Sequence, residues 1–264
     1  MCGIAGYSVG SGSRMSRTFA AQALLAGIAE RGADAVGYAH RASGRLEVHK
    51  QQTGASALLE TVVVPPAATQ VLVHVRDFTK GHPTIAANNH PIRHGHVTGV
   101  HNGIIVNDDE LFARHGLVRA EPEMTVDSEA IFALVDEHGA HRETVEQLVG
   151  AMAAAWVDDR EPEVLRLARG IGRPLWLGRG KDVLLFASTR AALEVAERSL
   201  ATTLRKTEVG EGRLLSVVDG KLVDEQRWRP DRSYREERKL PAIRAPHEGR
   251  FCLERLATLV LPAN

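Results

Sequence analysis

The chain has 264 residues, of which 44% are hydrophobic and 25% charged, a composition typical of a globular protein with ample material for a core. Its 33 basic and 33 acidic residues cancel, which argues against a dedicated binder of nucleic acid or of anionic membranes. No apolar run is long enough to span a membrane, no secretory signal is visible, and the two cysteines, Cys2 and Cys252, form neither a disulfide framework nor a zinc cluster. These features predict a cytoplasmic protein.

The first predicted elements are a strand at the N-terminus and the helix that follows it. The segment Cys2–Gly10 is typical of a short strand that holds the terminus inside the fold. Residues Thr18–Glu30 are rich in alanine and leucine at helical spacing and predict a helix. Three later β-rich runs predict buried strands: Val71–Val75, Val97–Val106 and Val183–Phe186.

The second half adds helices and a hairpin. Asp127–His138 and Glu143–Trp156 show helical periodicity and predict a helical pair. Arg213–Val218 and the strand that begins at Lys221 flank an Asp-Gly dipeptide, which predicts a β-hairpin. Together these elements predict a sheet with helices on its faces.

The C-terminal residues have a different composition. Trp228–Arg250 contains seven basic and four acidic residues and three prolines, with few aliphatic side chains. We therefore expect one domain over residues 1–227 and a charged, extended tail over residues 228–264. The tail is a candidate docking element for a partner.

Cys2 directly follows the initiator methionine, so removal of Met1 would give one residue both a thiol and a free α-amine. The unperturbed pKa of an α-amine is about 7.7 to 8.0 and that of a cysteine about 8.5, so the amine can accept the thiol proton near neutral pH. Cys2 is therefore a candidate nucleophile that carries its own base.

Three further residues could complete a site around such a nucleophile. The amide of Asn102 and the backbone N–H of Gly103 could donate to an oxyanion, although Asn-Gly is also common in plain tight turns. Arg76 ends one predicted strand and Asp127 begins a predicted helix. Together they could bind the carboxylate and ammonium of an amino acid, or serve only as a surface ion pair and a helix cap.

Six motifs occur in an order that resembles the glutaminase domain of class II glutamine amidotransferases, especially that of glucosamine 6-phosphate synthase. They are Cys2-Gly-Ile-Ala-Gly6, Arg31-Gly-Ala-Asp-Ala-Val-Gly37, His74-Val-Arg-Asp-Phe-Thr79, Asn88-Asn-His-Pro91, His101-Asn-Gly-Ile-Ile-Val-Asn107 and Asp127-Ser-Glu129. The resemblance implies an α+β fold of the N-terminal nucleophile hydrolase type, a four-layer αββα sandwich. It also implies hydrolysis of L-glutamine to glutamate and ammonia.

The resemblance also implies a role for each matching residue. Cys2 would attack the side-chain amide and form a thioester, and Asn102 and Gly103 would form the oxyanion hole. Substrate contacts would come from Arg76, Thr79 and Asp127, and supporting roles would fall to Arg31 and His90. Only about 40 residues follow Val223, too few for an acceptor domain, so we expect the ammonia to pass to a synthase on a separate chain.

Three positions depart from the pattern of this family, all in the loop Arg76–Gly81, which the resemblance implies is mobile. Asp77 stands where a tryptophan associated with gating of the ammonia route is common, unless the neighbouring Phe78, itself a departure, supplies the missing ring. Lys80 replaces a histidine. These changes place gating and glutamine affinity in question but leave the proposed nucleophile unchanged.

Two other functions remain compatible with the sequence. One is hydrolysis of another γ-glutamyl amide, because Arg76 and Asp127 would specify the amino-acid end of a substrate better than its leaving group. The other is a non-catalytic, glutamine-binding regulatory subunit, which retention of Met1 would favour. The histidines His90, His94, His96 and His101 cluster in sequence, but their spacing fits a loop and strand better than a metal site. We expect no metal and no cofactor for the glutaminase step.

Overall fold

The predicted N-terminal strand is the centre of the first sheet in the computed structural model, which describes residues 1–236 and 241–259. This sheet has seven strands in the order β11-β9-β10-β1-β4-β2-β3, and their pairings are antiparallel. The strands are β1 (Gly3–Val9), β2 (Ala35–Ala42), β3 (Arg45–Gln51), β4 (Gln70–Arg76), β9 (Trp176–Gly180), β10 (Val183–Ala187) and β11 (Arg205–Glu208). Because β1 pairs with β4 on one side and β10 on the other, it is buried along its whole length.

A second antiparallel sheet packs against the first. Its six strands run in the order β13-β12-β8-β7-β6-β5. They are β5 (Ile92–His94), β6 (Val97–Ile105), β7 (Gly150–Asp158), β8 (Glu161–Arg169), β12 (Arg213–Val218) and β13 (Lys221–Arg227). The predicted hairpin is confirmed as β12 and β13, and Asp219 and Gly220 both adopt positive φ at its turn, as a type I′ turn requires.

Helices cover the outer faces of both sheets. The helices are α1 (Arg17–Ile28), α2 (Ala55–Leu58), α3 (Asp108–His115), α4 (Glu129–His138), α5 (Arg142–Val145), α6 (Arg190–Ser199) and α7 (Pro246–Leu259). Separate apolar clusters lie under α1 and α6, under α4, and between the sheets. The αββα sandwich is thereby confirmed. Among the described helices, none has both the length and the apolar character needed to cross a membrane.

The predicted helix over Glu143–Trp156 is wrong. Only the turn α5 is helical there, and Gly150–Asp158 forms β7, which lies between β6 and β8. Every residue of β7 is buried, so its run of alanines gives close packing on both faces of a central strand. Tertiary packing overrides the helical propensity of alanine at this position.

The C-terminal segment also differs from the predicted extended tail, because α7 packs onto the first helical layer. Cys252 and Leu256 belong to the same buried cluster as α1. The side chain of Glu248 accepts hydrogen bonds from the N–H and hydroxyl of Ser56, at 2.8 and 3.0 Å. Cys252 and Leu256 form the buried face of α7. The many charged residues before this helix led to the prediction of an extended tail. The boundary between residues 227 and 228 stays a prediction, and residues 237–240 and 260–264 lie outside the described chain.

Candidate active site

Four chain segments converge at one end of the two sheets. Cys2 immediately precedes β1, and the register between β1 and β4 places it beside Arg76, the last residue of β4. The second sheet contributes Gly103 from β6, and the connection before α4 contributes Asp127. Sheet pairing therefore brings together residues that are distant in sequence.

The thiol of Cys2 is held by the backbone of the residue that follows Arg76. Its Sγ donates to the carbonyl oxygen of Asp77 at 3.3 Å, and the Asp77 N–H points back to Sγ at 3.4 Å. Burial raises the pKa of the Cys2 thiol, while the Asp77 N–H and the positive charge of Arg76 oppose that rise. The thiol is thus mainly protonated near neutral pH and needs a base in order to act as a nucleophile.

Arg76 is buried and its guanidinium faces the same pocket. It donates to Oδ1 of Asn89 at 2.5 Å, to the carbonyl oxygen of Lys80 at 2.9 Å and to that of Gly81. The guanidinium therefore holds the loop Arg76–Gly81 folded over the pocket. A substrate carboxylate would compete with these carbonyl groups for the same donors.

Asp127 supplies a buried carboxylate. Its Oδ2 accepts a hydrogen bond from the N–H of Ile105 at 2.7 Å, which fixes its orientation at the end of β6. Burial raises its pKa to about 6, so it is largely ionised at pH 7. The predicted helix is confirmed as α4, but Asp127 precedes its cap residue, Ser128, and its carboxylate is directed to β6 instead.

Gly103 and Asn102 lie side by side on β6, yet only Gly103 lines the pocket. Its φ of 150° lies in the region that favours glycine, and a Cβ there would come within 1.8 Å of the carbonyl oxygen of Ala151. The side chain of Asn102 is completely buried, and its amide has no hydrogen-bond partner among the described residues. That leaves the amide free to donate to another group.

Three buried histidines stand behind these residues. The rings of His74 and His90 stack with their centroids 4.1 Å apart, and His101 Nδ1 lies 2.8 Å from the hydroxyl of Ser128. Burial lowers the pKa of His90 well below its usual range and those of His74 and His101 to about 3. All three are therefore neutral at physiological pH, and His90 and His101 form polar, uncharged walls of the pocket.

The resulting pocket gathers most of the predicted site. Its lining comprises Cys2, Arg76, Phe78, Thr79, Lys80, His90, His101, Gly103, Val126, Asp127 and Ser128. Two predicted residues do not line it: Asn102, and Arg31, whose Nε donates to the carbonyl oxygen of Cys2 at 2.8 Å. The free volume is only about 10 Å³, room for about one water molecule, so a larger ligand requires movement of the loop Arg76–Gly81.

Lys80 ties this loop to α3. Its Nζ donates to the two carboxylate oxygens of Asp108 at 2.7 and 2.6 Å and to Asp109 at 3.0 Å. Burial alone would lower the pKa of Lys80, but these hydrogen bonds outweigh that effect and raise it. The lysine that departs from the family pattern thus stabilises the folded-over position of the loop.

Sequence reasoning missed the surroundings of Asp77. Its carboxylate accepts from the ammonium of Met1 and pairs with Nε of Arg244 at 3.2 Å. The backbone N–H groups of Arg244 and Ala245 both donate to the carbonyl oxygen of Glu30 at 2.9 Å. No local pattern links Arg244 to the N-terminus, because only the packing of α7 brings it there.

Comparison with known proteins finds similarity to glutamine amidotransferases. Residues 80–195 match the model of a family described as a glutamine amidotransferase domain. The glutamine–fructose-6-phosphate aminotransferase of Caulobacter vibrioides is 34% identical over 203 residues, which cover 73% of this chain and 32% of the relative. Its counterpart in Legionella pneumophila is 31% identical and covers 67% of this chain and 30% of the relative. The chain thus spans about a third of the length of these relatives.

Solved structures share the fold. The glutamine phosphoribosylpyrophosphate amidotransferase of B. subtilis superposes with a TM-score of 0.67 and 20% identity, over 86% of this chain and 49% of that one. A structure described as the allosteric regulatory enzyme of purine biosynthesis gives a TM-score of 0.69, with the same identity and coverage. These similarities agree with the two facing sheets and their outer helices.

Proposed function

From the premise that this chain carries a class II glutamine amidotransferase domain, similar to that of glucosamine 6-phosphate synthase, we propose that it hydrolyses L-glutamine to glutamate and ammonia. The observation that carries the proposal is the meeting of Cys2, Arg76, Gly103 and Asp127 around one pocket. A nucleophile, a guanidinium, a backbone donor and a carboxylate are the groups that amide hydrolysis of an α-amino acid needs.

The reaction would begin after removal of Met1. The freed α-amine of Cys2 takes the thiol proton, and Sγ attacks the side-chain carbonyl carbon of glutamine. The N–H of Gly103 donates a hydrogen bond to the negatively charged carbonyl oxygen. The amide of Asn102, which has no partner among the described residues, is the second donor. Collapse of this intermediate transfers the proton to the leaving nitrogen and releases ammonia. Water then cleaves the γ-glutamyl thioester and restores the thiol.

Substrate orientation would come from the two charged residues and the loop. Arg76 exchanges its bonds to the carbonyl oxygens of Lys80 and Gly81 for bonds to the substrate carboxylate. Asp127 binds the substrate ammonium, and Thr79 lines the pocket from the loop. Arg31 and His90 act indirectly, through the carbonyl of Cys2 and the wall of the pocket.

Release of ammonia or amine from glutamine, asparagine and γ-glutamyl amides tests this substrate assignment. The pocket must already open to admit glutamine, and a bulky leaving group would require a still larger movement of the loop, which favours the unsubstituted amide. We expect glutamine to be cleaved at least about 10-fold more efficiently than a γ-glutamyl amide with a bulky leaving group. Faster cleavage of the substituted amide would assign the site to γ-glutamyl conjugates instead.

Replacement of Lys80 by alanine is expected to lower the KM for glutamine by about 5-fold, with a smaller effect on kcat. The variant loses the hydrogen bonds to Asp108 and Asp109 that hold the loop over a pocket too small for glutamine, so less free energy is needed to move the loop. Steady-state kinetics with glutamine would measure both constants. Lys181→Ala, which removes an exposed lysine that does not line the pocket, is the matched control. An unchanged KM for Lys80→Ala would show that this tether is irrelevant to substrate binding.

We propose further that the ammonia passes to a synthase on a separate chain, whose binding speeds glutamine hydrolysis by ordering the loop Arg76–Gly81. The names of the relatives describe transfer of an amino group from glutamine to fructose 6-phosphate. They support the existence of an acceptor, while its place on a separate chain is our proposal. Glutamine hydrolysis would be measured for the purified chain by itself and again after addition of a synthase that co-purifies with it. A rate that no such protein increases would contradict regulation by a separate acceptor.

A further inference from the structure

Three side chains of types that can bind metals lie together on the hairpin formed by β2 and β3, apart from the pocket around Cys2. His40 is on β2, and Glu47 and His49 are on β3. The register pairs His40 directly with Glu47 and Tyr38 with His49, so all four side chains share one face of the sheet. The two histidines are therefore diagonal neighbours across the strands, with the carboxylate between them.

The donor atoms of these residues are close together. His40 Nε2 lies 3.6 Å from the Oε2 of Glu47, and His49 Nε2 lies 3.9 Å from the same oxygen. The three donor atoms all fall within 4.8 Å of one another. Around a tetrahedral zinc ion, neighbouring donor atoms are about 3.3 Å apart. The distances from Glu47 Oε2 to the two histidine nitrogens exceed this value by only a few tenths of an ångström. Because Glu47 and His49 are exposed, their side chains can move by that amount.

The state of His40 points to a ligand. Its side chain is 2% exposed, yet neither ring nitrogen has a hydrogen-bond partner among the described residues. An unpaired buried imidazole is costly, whereas coordination to a metal would satisfy it.

Ring contacts also keep His49 close to the other two donors. Its ring stacks on Tyr38, with centroids 4.7 Å apart and planes inclined by 15°. The rings of His40 and His49 are nearly parallel, inclined by 7°. Two imidazoles and one carboxylate suit zinc and the neighbouring divalent transition metals better than magnesium or calcium, which prefer oxygen ligands.

We propose that His40, Glu47 and His49 form a binding site for a zinc-class divalent cation, with water as the remaining ligand. The ion would link an edge strand of the seven-stranded sheet to its neighbour. This role is structural and separate from the chemistry at Cys2.

Binding of Co²⁺ as a spectroscopic probe, followed by competition with Zn²⁺, tests the site in metal-free protein without an affinity tag. A Cys2→Ser background prevents the active-site thiol from contributing a ligand. We expect one Co²⁺ per chain, displaced by Zn²⁺, and a melting temperature raised by about 5 °C at saturating Zn²⁺. The His49→Ala variant is expected to weaken binding by about 100-fold or more.

His247→Ala serves as the matched control, because that histidine is exposed and lies 3.8 Å from Glu248 without a third donor in the described part of the chain. It should bind Co²⁺ as the background protein does. His40→Ala should also lose Co²⁺ binding. Because the side chain of His49 is exposed, we expect His49→Ala to fold like the background protein. Absence of Co²⁺ binding, or equal binding by His49→Ala, would overturn the proposal and leave His40 facing only water.

Discussion

Replacement of Cys2 by alanine is expected to lower glutamine hydrolysis by about 10⁴-fold or more, because no other described side chain in the pocket offers a comparable nucleophile. The parent protein should begin at Cys2, and acid quenching during turnover should trap a γ-glutamyl adduct on that residue. Intact mass spectrometry detects the loss of Met1 and the adduct, and glutamate release measures the rate.

The chain offers a matched control in its other cysteine. Cys252 lies on the buried face of α7, and burial raises the pKa of its thiol to about 12, which makes it unreactive. Cys252→Ala should retain glutaminase activity and still form the adduct. If the parent protein keeps Met1 and releases no glutamate from glutamine, the catalytic proposal is wrong and a glutamine-binding regulatory role replaces it.

Replacement of Asp127 by asparagine is expected to raise the KM for glutamine by about 100-fold. The variant cannot pair with the substrate ammonium in a buried site, a loss of about 2.7 kcal/mol. In the parent, kcat/KM should also decline as the pH falls through about 6, where the Asp127 carboxylate becomes protonated. The variant should lack this component of the pH profile.

The same variant should be more stable without substrate at pH 7. The carboxyl of Asp127 has a pKa of about 6 in the folded protein, against an ordinary value of 3.8. The folded state therefore binds more protons between these values, and the free energy of unfolding decreases as the pH rises from about 4 to 6. Asp127→Asn removes this penalty, which is at most about 3 kcal/mol, and its amide oxygen can still accept from Ile105. Urea unfolding at pH 4 and 7 would test the sign, and a loss of stability at pH 7 would contradict it.

Much of the site was predictable because its residues sit in local patterns. The β-rich runs place Arg76 at a strand end and Gly103 within a strand, and both positions are confirmed. Periodicity also predicts a helix that begins at Asp127, and α4 begins two residues later, at Glu129. Their roles in catalysis remain predictions, because the structure places the side chains without testing their chemistry.

The failures have physical causes. The alanines of β7 favour a helix locally, but neighbouring strands on both sides determine their conformation. The ion pair of Arg244 with Asp77 depends on α7 packing against α1, a contact between distant parts of the chain. The zinc-class site likewise depends on strand register, which brings His40 next to Glu47.

The contact between Arg244 and Asp77 also has a consequence for the order of events during biosynthesis. An aminopeptidase that removes Met1 needs an open N-terminus, but in the folded chain Met1 is only 15% exposed and its ammonium is bound to Asp77. Arg244 and α7 leave the ribosome after the rest of the domain, so the surroundings of Met1 are completed late. The removal of Met1 on which the proposed mechanism depends would therefore have to precede this closure, and the docking of the C-terminal helix would limit the time available for it.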